Sequence, residues 1–357
     1  MARSISRRRF LAVSAATAAA AATPNAVWSN KSGSQVILGE GEHRYEVHHD
    51  WAKLPKPFTW QTTHNVAVDA EQRLYVIHEG REELKDHPSI FVFDQQGKLI
   101  RSFGSQFQGG GHGIEVRREG SQEFLYVCAY QQVKAFAKLT LEGEVVWLQH
   151  APMESGVYAE GEDTKPERKW GPDRFLPTNF AFLDDGGFLL ADGYGSYYIH
   201  RFDKEGKWQS CFGGPGEGNG KFKTPHGIWI DRRDDEPRVV ICDRAHNTLQ
   251  HLTLDGKHLA TQEGFGLPAN VDSRGELLLV PELKARITLL GKDNQVVAQL
   301  GMDVDKVNAN KGLRTRPQDW EDGRFVHPHD ACFGAEGDIY VAEWVATGRI
   351  SRLKRLG

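Results

Sequence analysis

The chain has 357 residues, a formal charge of −4 and 26% charged residues. That balance excludes a basic nucleic-acid footprint and fits an ordinary soluble protein. Four widely spaced cysteines, Cys128, Cys211, Cys242 and Cys332, form no CxxC pair and read as small buried apolar residues rather than disulfide partners.

The N-terminus reads as a targeting segment. Ser6-Arg7-Arg8-Arg9-Phe10-Leu11 precedes an alanine-rich apolar stretch over 12–22, and small residues at 22–26 suit cleavage. Consecutive arginines before a mild apolar stretch resemble a twin-arginine export signal. The stretch is short for a membrane span. Residues 1–30 are therefore expected to be a cleaved signal. The remainder, 31–357, is expected in the periplasm or outside the cell, as a monomer with no membrane contact after cleavage.

The mature chain begins with strand-like segments at 35–38 and 45–47. Unit one follows, with strands at 64–68, 74–77, 89–94 and 100–103. Unit two has strands at 114–116, 124–128, 133–139 and 145–148. Residues 153–174 are polar and weakly periodic, and read as an insertion loop. Unit three runs from Pro177 through apolar runs at 187–190, 198–202 and 208–212. Unit four runs from His226 to about residue 259. Unit five starts at Asn270 and includes runs at 277–280, 286–290 and 295–300. Residues 303–324 are a second polar insertion. Unit six starts at His329, includes 339–342 and 349–353, and lacks a fourth strand.

The units open on a recurring register: His64, His112, Asn179, His226, Asn270 and His329. Less the two insertions, the spacing falls near roughly 45 residues, the period of a four-stranded propeller blade. Six copies predict an all-β, six-bladed β-propeller in one domain. The N-terminal strand is left over and the last blade is short, so that strand is expected to complete the last blade and close the ring.

The innermost strand of each blade lines the central channel, so the leading residues converge at one mouth. His112, His226 and His329 lie on alternate blades, a third of a turn apart. Three neutral imidazoles with an open fourth position are a ligand set for catalytic zinc, and iron or copper would also accept them. His64 lies between two of them and reads as channel-lining or as supporting a ligand. His327 is the substitute ligand if the register slips. Asp330, beside His329, is a candidate to orient a ligand imidazole.

A second polar tier follows the second strand of each blade: His78-Glu79, Ala129-Tyr130, Asp192-Gly193-Tyr194, Asp243-Arg244, Glu282 and Glu343-Trp344. It is expected to ring the same mouth. Tyr194 is a phenol able to move a proton. Arg244 is a fixed cation suited to a carboxylate, with Asp243 as its possible partner.

The units resemble NHL repeats, most closely in Gly220-Lys221-Phe222-Lys223-Thr224-Pro225-His226-Gly227-Ile228. Within that superfamily the mature chain resembles peptidyl-α-hydroxyglycine α-amidating lyase. The resemblance rests on Gly111-His112-Gly113, Pro225-His226-Gly227, Pro328-His329-Asp330, Asp192-Gly193-Tyr194 and Asp243-Arg244. It implies a catalytic zinc on the three histidines, Tyr194 and Arg244 as catalytic residues, a structural calcium ion, and a small-molecule or peptide substrate. The chain departs from that family at Glu79, where the family has an active-site arginine, and at Gly195, where animal members have a cysteine. Two other functions suit such a ring: a non-catalytic propeller that binds a protein or glycan, and a metal-dependent hydrolase or lactonase using Glu, Asn and Asp around calcium. Asn179 and Asn270 speak for the last, the three histidines against it.

Overall fold

The computed structural model describes residues 36–81 and 83–357. The expected signal, with Arg7 and Arg8, lies outside them. Six antiparallel sheets follow in chain order. Blade one comprises Thr63–Val68, Leu74–His78, Ile90–Phe93 and Leu99–Phe103. Blade two comprises Gly111–Glu119, Gln122–Ala129, Ala135–Thr140 and Val145–Gln149. Blade three comprises Asn179–Phe182, Phe188–Ala191, Tyr198–Phe202 and Trp208–Gly213. Blade four comprises Pro225–Asp231, Arg238–Asp243, Thr248–Leu252 and His258–Gln262. Blade five comprises Asp272–Arg274, Leu277–Glu282, Arg286–Leu290 and Val296–Leu300.

Blade six begins with Pro328–Phe333, Ile339–Glu343 and Arg349–Arg355, and two N-terminal strands complete it. Tyr45–His48 pairs with Arg349–Arg355, and Val36–Leu38 pairs with Tyr45–His48. The closing blade is thus five-stranded, one strand more than expected. The polar insertions are also more ordered than loops. The first contains a 3₁₀ turn at Met153–Ser155, the second a short helix at Val304–Ala309.

The strands form because each blade is sandwiched between two others. A strand buried on both faces reads as an unbroken apolar run, and Leu74–His78 is buried at every position. The outermost strands face water on one side and relax to mixed patterns, as in Val145–Gln149. Apolar clusters fill the spaces between blades. Tyr75, Ile77 and Ile90 of blade one meet Ile114, Leu125 and Val127 of blade two. Val66, Phe91 and Phe93 of blade one meet Tyr340, Ala342 and Ile350 of blade six. Leu38 and Tyr45 join Leu279, Ile287, Val341 and Leu353 between blades five and six. All four cysteines are free.

The register at the channel corrects the sequence reading. Pairing shifts between Thr63 and Asn65, Gly111 and Ile114, Pro225 and Ile228, and Pro328 and Asp330. Each shift is a bulge that places a histidine, and bulges re-aim side chains in this way. Asn179 pairs with Ala191 and Phe180 with Leu190. This aligns Asn179 with Gly227, one residue beyond the histidine position. Asn270 occupies the same place in blade five. The true counterparts of the histidines there are Thr178 and Ala269, whose N–H groups donate to Ala191 and Pro281. The sequence reading missed this because a bulge adds a residue without changing the apolar pattern.

Ring closure sets a first expectation. Tyr45 is 1% exposed inside the closing cluster. Tyr45→Ala should destabilise the protein by about 3 kcal/mol, the cost of emptying a buried aromatic site. Urea unfolding would measure it, and an unchanged midpoint would show that the N-terminal strands do not hold the ring.

Candidate active site at the channel mouth

Four imidazoles meet on the channel axis. Ring centroids are 4.7 Å apart for His64–His112, 4.6 Å for His64–His329, 4.9 Å for His112–His226, 4.6 Å for His226–His329 and 5.0 Å for His112–His329. All four are buried. The sequence reading brought His112, His226 and His329 together correctly. It placed His64 beside them, and the structure places it among them: donor atoms of His64, His112 and His329 lie within 4.8 Å of one another.

Three of the rings are locked alike. Nδ1 of His112 donates to the Thr178 carbonyl (2.8 Å), Nδ1 of His226 to the Ala269 carbonyl (2.6 Å) and Nδ1 of His329 to the His64 carbonyl (3.0 Å). Each bond runs from an even blade to the odd blade that follows it. A carbonyl can only accept, so Nδ1 carries the proton and the Nε2 lone pair faces the axis. In blades two and four room for this contact requires glycine, while blade six makes it with Asp330 in that place. A Cβ on Gly113 would lie 2.5 Å from the Thr178 oxygen, and one on Gly227 2.4 Å from Asn270 Cα.

Burial pushes the pKa values of His112, His226 and His329 well below the usual imidazole value, assisted by the neighbouring imidazoles and by Arg244. The rings are neutral at neutral pH. His226 Nε2 and His112 Nε2 then face each other across 3.2 Å with no proton between them. His329 Nε2 and both nitrogens of His64 are buried with no hydrogen bond. The Nε2 lone pairs that converge from His112, His226 and His329 fit a divalent transition-metal ion, with His64 beside them. His327 is not in this cluster: its Nδ1 donates to the Leu283 carbonyl (2.6 Å).

Tyr194 and Arg244 stand above the imidazoles. Arg244 donates to the Tyr194 hydroxyl (3.0 Å), which donates to His226 Nε2 (3.0 Å). Burial raises the Tyr194 pKa, and the Arg244 charge opposes that rise. Glu79 Oε2 lies 3.5 Å from His64 Nε2, and Gln131 donates to Oε1. Burial would raise the Glu79 pKa, but His64, Gln131 and the Arg314 charge outweigh it and hold the group ionised.

The rest of the second tier has a different role from the one expected. Asp192 accepts from the Leu176 N–H (2.7 Å), Asp243 from Lys223 (2.8 Å), Glu343 from Val326 (2.7 Å), and Glu282 from Gly266. His78 Nδ1 accepts weakly from the Gln61 N–H (3.3 Å). These side chains turn back into their own blades and hold the segment that leads into each inner strand. Asp243 therefore serves Lys223, His246 and Gln250 rather than Arg244. The residues just after them reach the mouth, Glu79 and Arg244 one step on and Tyr194 two.

Asp330 also turns away from the imidazoles. It accepts from the Val66 N–H (2.8 Å) and from Asn270 (2.6 Å), while Asn270 accepts from Asn179 and Asn179 donates to Glu115. Here the expected orienting role fails, because Asp330 is taken up by the Val66 N–H and the Asn270 amide rather than by an imidazole. Burial raises the pKa of Asp330 to about 7 and that of Glu115 well above the usual value. This layer borders a cavity of about 310 Å³ at the opposite end of the inner strands.

Sequence reasoning missed Trp170 and Arg314, which the two insertions bring to the mouth. The signal for Trp170 was present, as a lone tryptophan in a charged stretch.

No protein-family model matches the chain. Among solved structures it is similar to a streptogramin B lyase, with TM-score 0.54 and 12% identity over 88% of this chain and 99% of that chain. It is similar to virginiamycin B lyase from Staphylococcus aureus, with TM-score 0.52 and 11% identity over 87% and 100%. It is also similar to a gluconolactonase from Xanthomonas campestris, with TM-score 0.56 and 12% identity over 93% and 99%. At such identities the likeness shows the propeller fold and nothing of the chemistry.

Behind Tyr194 a buried chain steadies the 192–196 turn. Trp208 donates to His200 Nδ1 (3.2 Å), His200 Nε2 meets the Tyr158 hydroxyl (2.7 Å), and that hydroxyl donates to Asp192 (2.9 Å). Burial lowers the His200 pKa to about 3. Its unfolded value is near 6.5, so stability is intact above that pH and is lost as pH falls toward 3. Between pH 7 and 5 wild type should lose about 2 kcal/mol more than His200→Gln. Urea unfolding at the two pH values tests this, and equal losses would mean that His200 is not held neutral.

Proposed function

We propose that the protein is a metal-dependent carbon–nitrogen lyase acting on a carbinolamide of the α-hydroxyglycine type, with release of an amide and glyoxylate. One observation carries the reading. Tyr194 is joined on one side to an imidazole of the axial cluster and on the other to Arg244, so a proton carrier lies between a metal site and a carboxylate anchor. Two of the similar solved structures are lyases by name, but they share only the fold with this chain.

His112, His226 and His329 would hold the ion, because their carbonyl locks aim Nε2 before any ligand arrives. When bound, zinc or a similar ion supplies Lewis acidity that lowers the pKa of a hydroxyl group. Arg244 binds the substrate carboxylate and offsets charge that develops there. Tyr194, as phenolate, takes the hydroxyl proton. The oxygen's electron pair forms the carbonyl, the carbon–nitrogen bond breaks, and the proton passes to the departing nitrogen. No oxidant and no added water are required. Because the raised Tyr194 pKa disfavours the phenolate, activity should rise with pH above neutral.

A lactonase-type hydrolase is the second reading. The observation that favours it is the Glu115–Asn179–Asn270–Asp330 chain beside the lower cavity.

Metal analysis separates the ligands. The purified protein should retain about one zinc or similar ion per chain. His112→Ala, His226→Ala and His329→Ala should each lose it, and His64→Ala should keep most of it. Loss in His64→Ala with retention in His226→Ala would move the site to His64, His112 and His329.

Turnover tests the chemistry. Wild type should release glyoxylate from α-hydroxyhippurate, and Tyr194→Phe should lower kcat roughly a hundredfold, as for loss of a general base. Arg244→Ala should lower kcat/KM to a similar degree. A metal-loaded wild type that releases no glyoxylate would remove this reaction. Lactone hydrolysis that survives replacement of all three ligand histidines would establish the second reading.

A further inference from the structure

Trp170 is the most exposed large apolar side chain among the described residues, at 57%. It is nevertheless not at the rim of the molecule. Its ring centroid lies 5.3 Å from that of Tyr194 and 5.9 Å from that of Tyr130, and the two tyrosines lie 5.2 Å apart. Tyr130 and Tyr194 in turn touch His112, at 5.0 and 5.4 Å. An aromatic wall therefore rises from the imidazole cluster and ends in an open indole face.

The insertion carrying Trp170 is held by a buried clip. Lys134 Nζ donates to Glu162 (2.6 Å) and to the carbonyl of Lys169, the residue before Trp170 (3.2 Å). Glu162 also accepts from the Phe175 N–H (3.0 Å) and from Arg174 (3.2 Å). Side-chain exposure is 1% for Lys134 and 0% for Glu162. Lys134 adopts a left-handed backbone with φ of 48°, which is costly for a side chain of this size. A buried ion pair contributes little net stability because both charges lose water. What this clip does provide is position, since it fixes the backbone on both sides of an exposed tryptophan.

We infer that Trp170 is a substrate-binding residue, and that the mouth takes small carboxylates carrying a flat aromatic or apolar group. The carboxylate goes to Arg244, and the flat group lies on the indole. A rigid indole face and a cationic anchor that both touch Tyr194 suit such a ligand, because stacking recovers the exposed area without ordering a loop. The inference rests on the channel mouth being the active site, as proposed above, and names the substrate class for it.

Binding of the unreactive analogues hippurate and N-acetylglycine to zinc-loaded protein, by calorimetry, tests it. Wild type should bind hippurate more tightly than N-acetylglycine. Trp170→Ala should weaken hippurate roughly tenfold, leave N-acetylglycine within about twofold, and be largely rescued by Trp170→Phe. Equal weakening of both ligands, no weakening of either, or a wild type that does not prefer hippurate would overturn the assignment. Hippurate binding that depends on Trp170 without glyoxylate release would sink the lyase reading and leave this one. Glyoxylate release with KM unchanged in Trp170→Ala would sink this one alone.

Discussion

Three bonds from imidazole Nδ1 to backbone carbonyl, each crossing from one blade to the next, are what the channel mouth depends on. Each spends the proton of a neutral ring on a fixed acceptor and leaves the Nε2 lone pair on the axis. The bonds exist only if alternate blades present a histidine and the blades between present a bare carbonyl at the same height. Bulges in the inner strands supply that height, and Gly113 and Gly227 supply the room. The division of labour between odd and even blades follows from this one contact.

Burial then decides the electrostatics. With the rings shielded from water, the charged imidazolium is disfavoured and the ligand set stays neutral. The converging rings leave the Nε2 atom of His329 and the nitrogens of His64 buried without a hydrogen-bond partner, which is the sense in which the cluster is incomplete by itself. Fixed charges sit just above it. Arg244 holds Tyr194 from one side, while Glu79 faces His64 from another. The mouth is thus polarised across its width, with Arg244 on one side and the negative edge of Glu79 on another.

The scaffold behind the mouth uses its carboxylates inwardly. Asp192, Asp243, Glu282 and Glu343 each accept a backbone N–H from the segment leading into their own inner strand. The same device in four blades keeps the inner strands at a common height, and so keeps the imidazoles level. The two insertions are free of this duty. Each brings one more side chain to the mouth: Trp170 from the first, Arg314 from the second.

The repeat, the count of six blades, the closing N-terminal strand, and the meeting of His112, His226 and His329 with Tyr194 and Arg244 at one mouth were legible in the sequence. They follow from alternation, turn residues and spacing, which are local properties of the chain. The placement of Asn179 and Asn270, the position of His64 inside the cluster, the inward turn of Asp243 and Asp330, and the approach of Trp170 were not legible. Each depends on contacts made only when the ring has closed. The three locking bonds join residues 66, 43 and 265 positions apart. A bulge shifts a side chain by one place without altering the apolar pattern that sequence reading follows. Local chemistry determined which residues could meet at the axis; closure of the ring decided which of them face it.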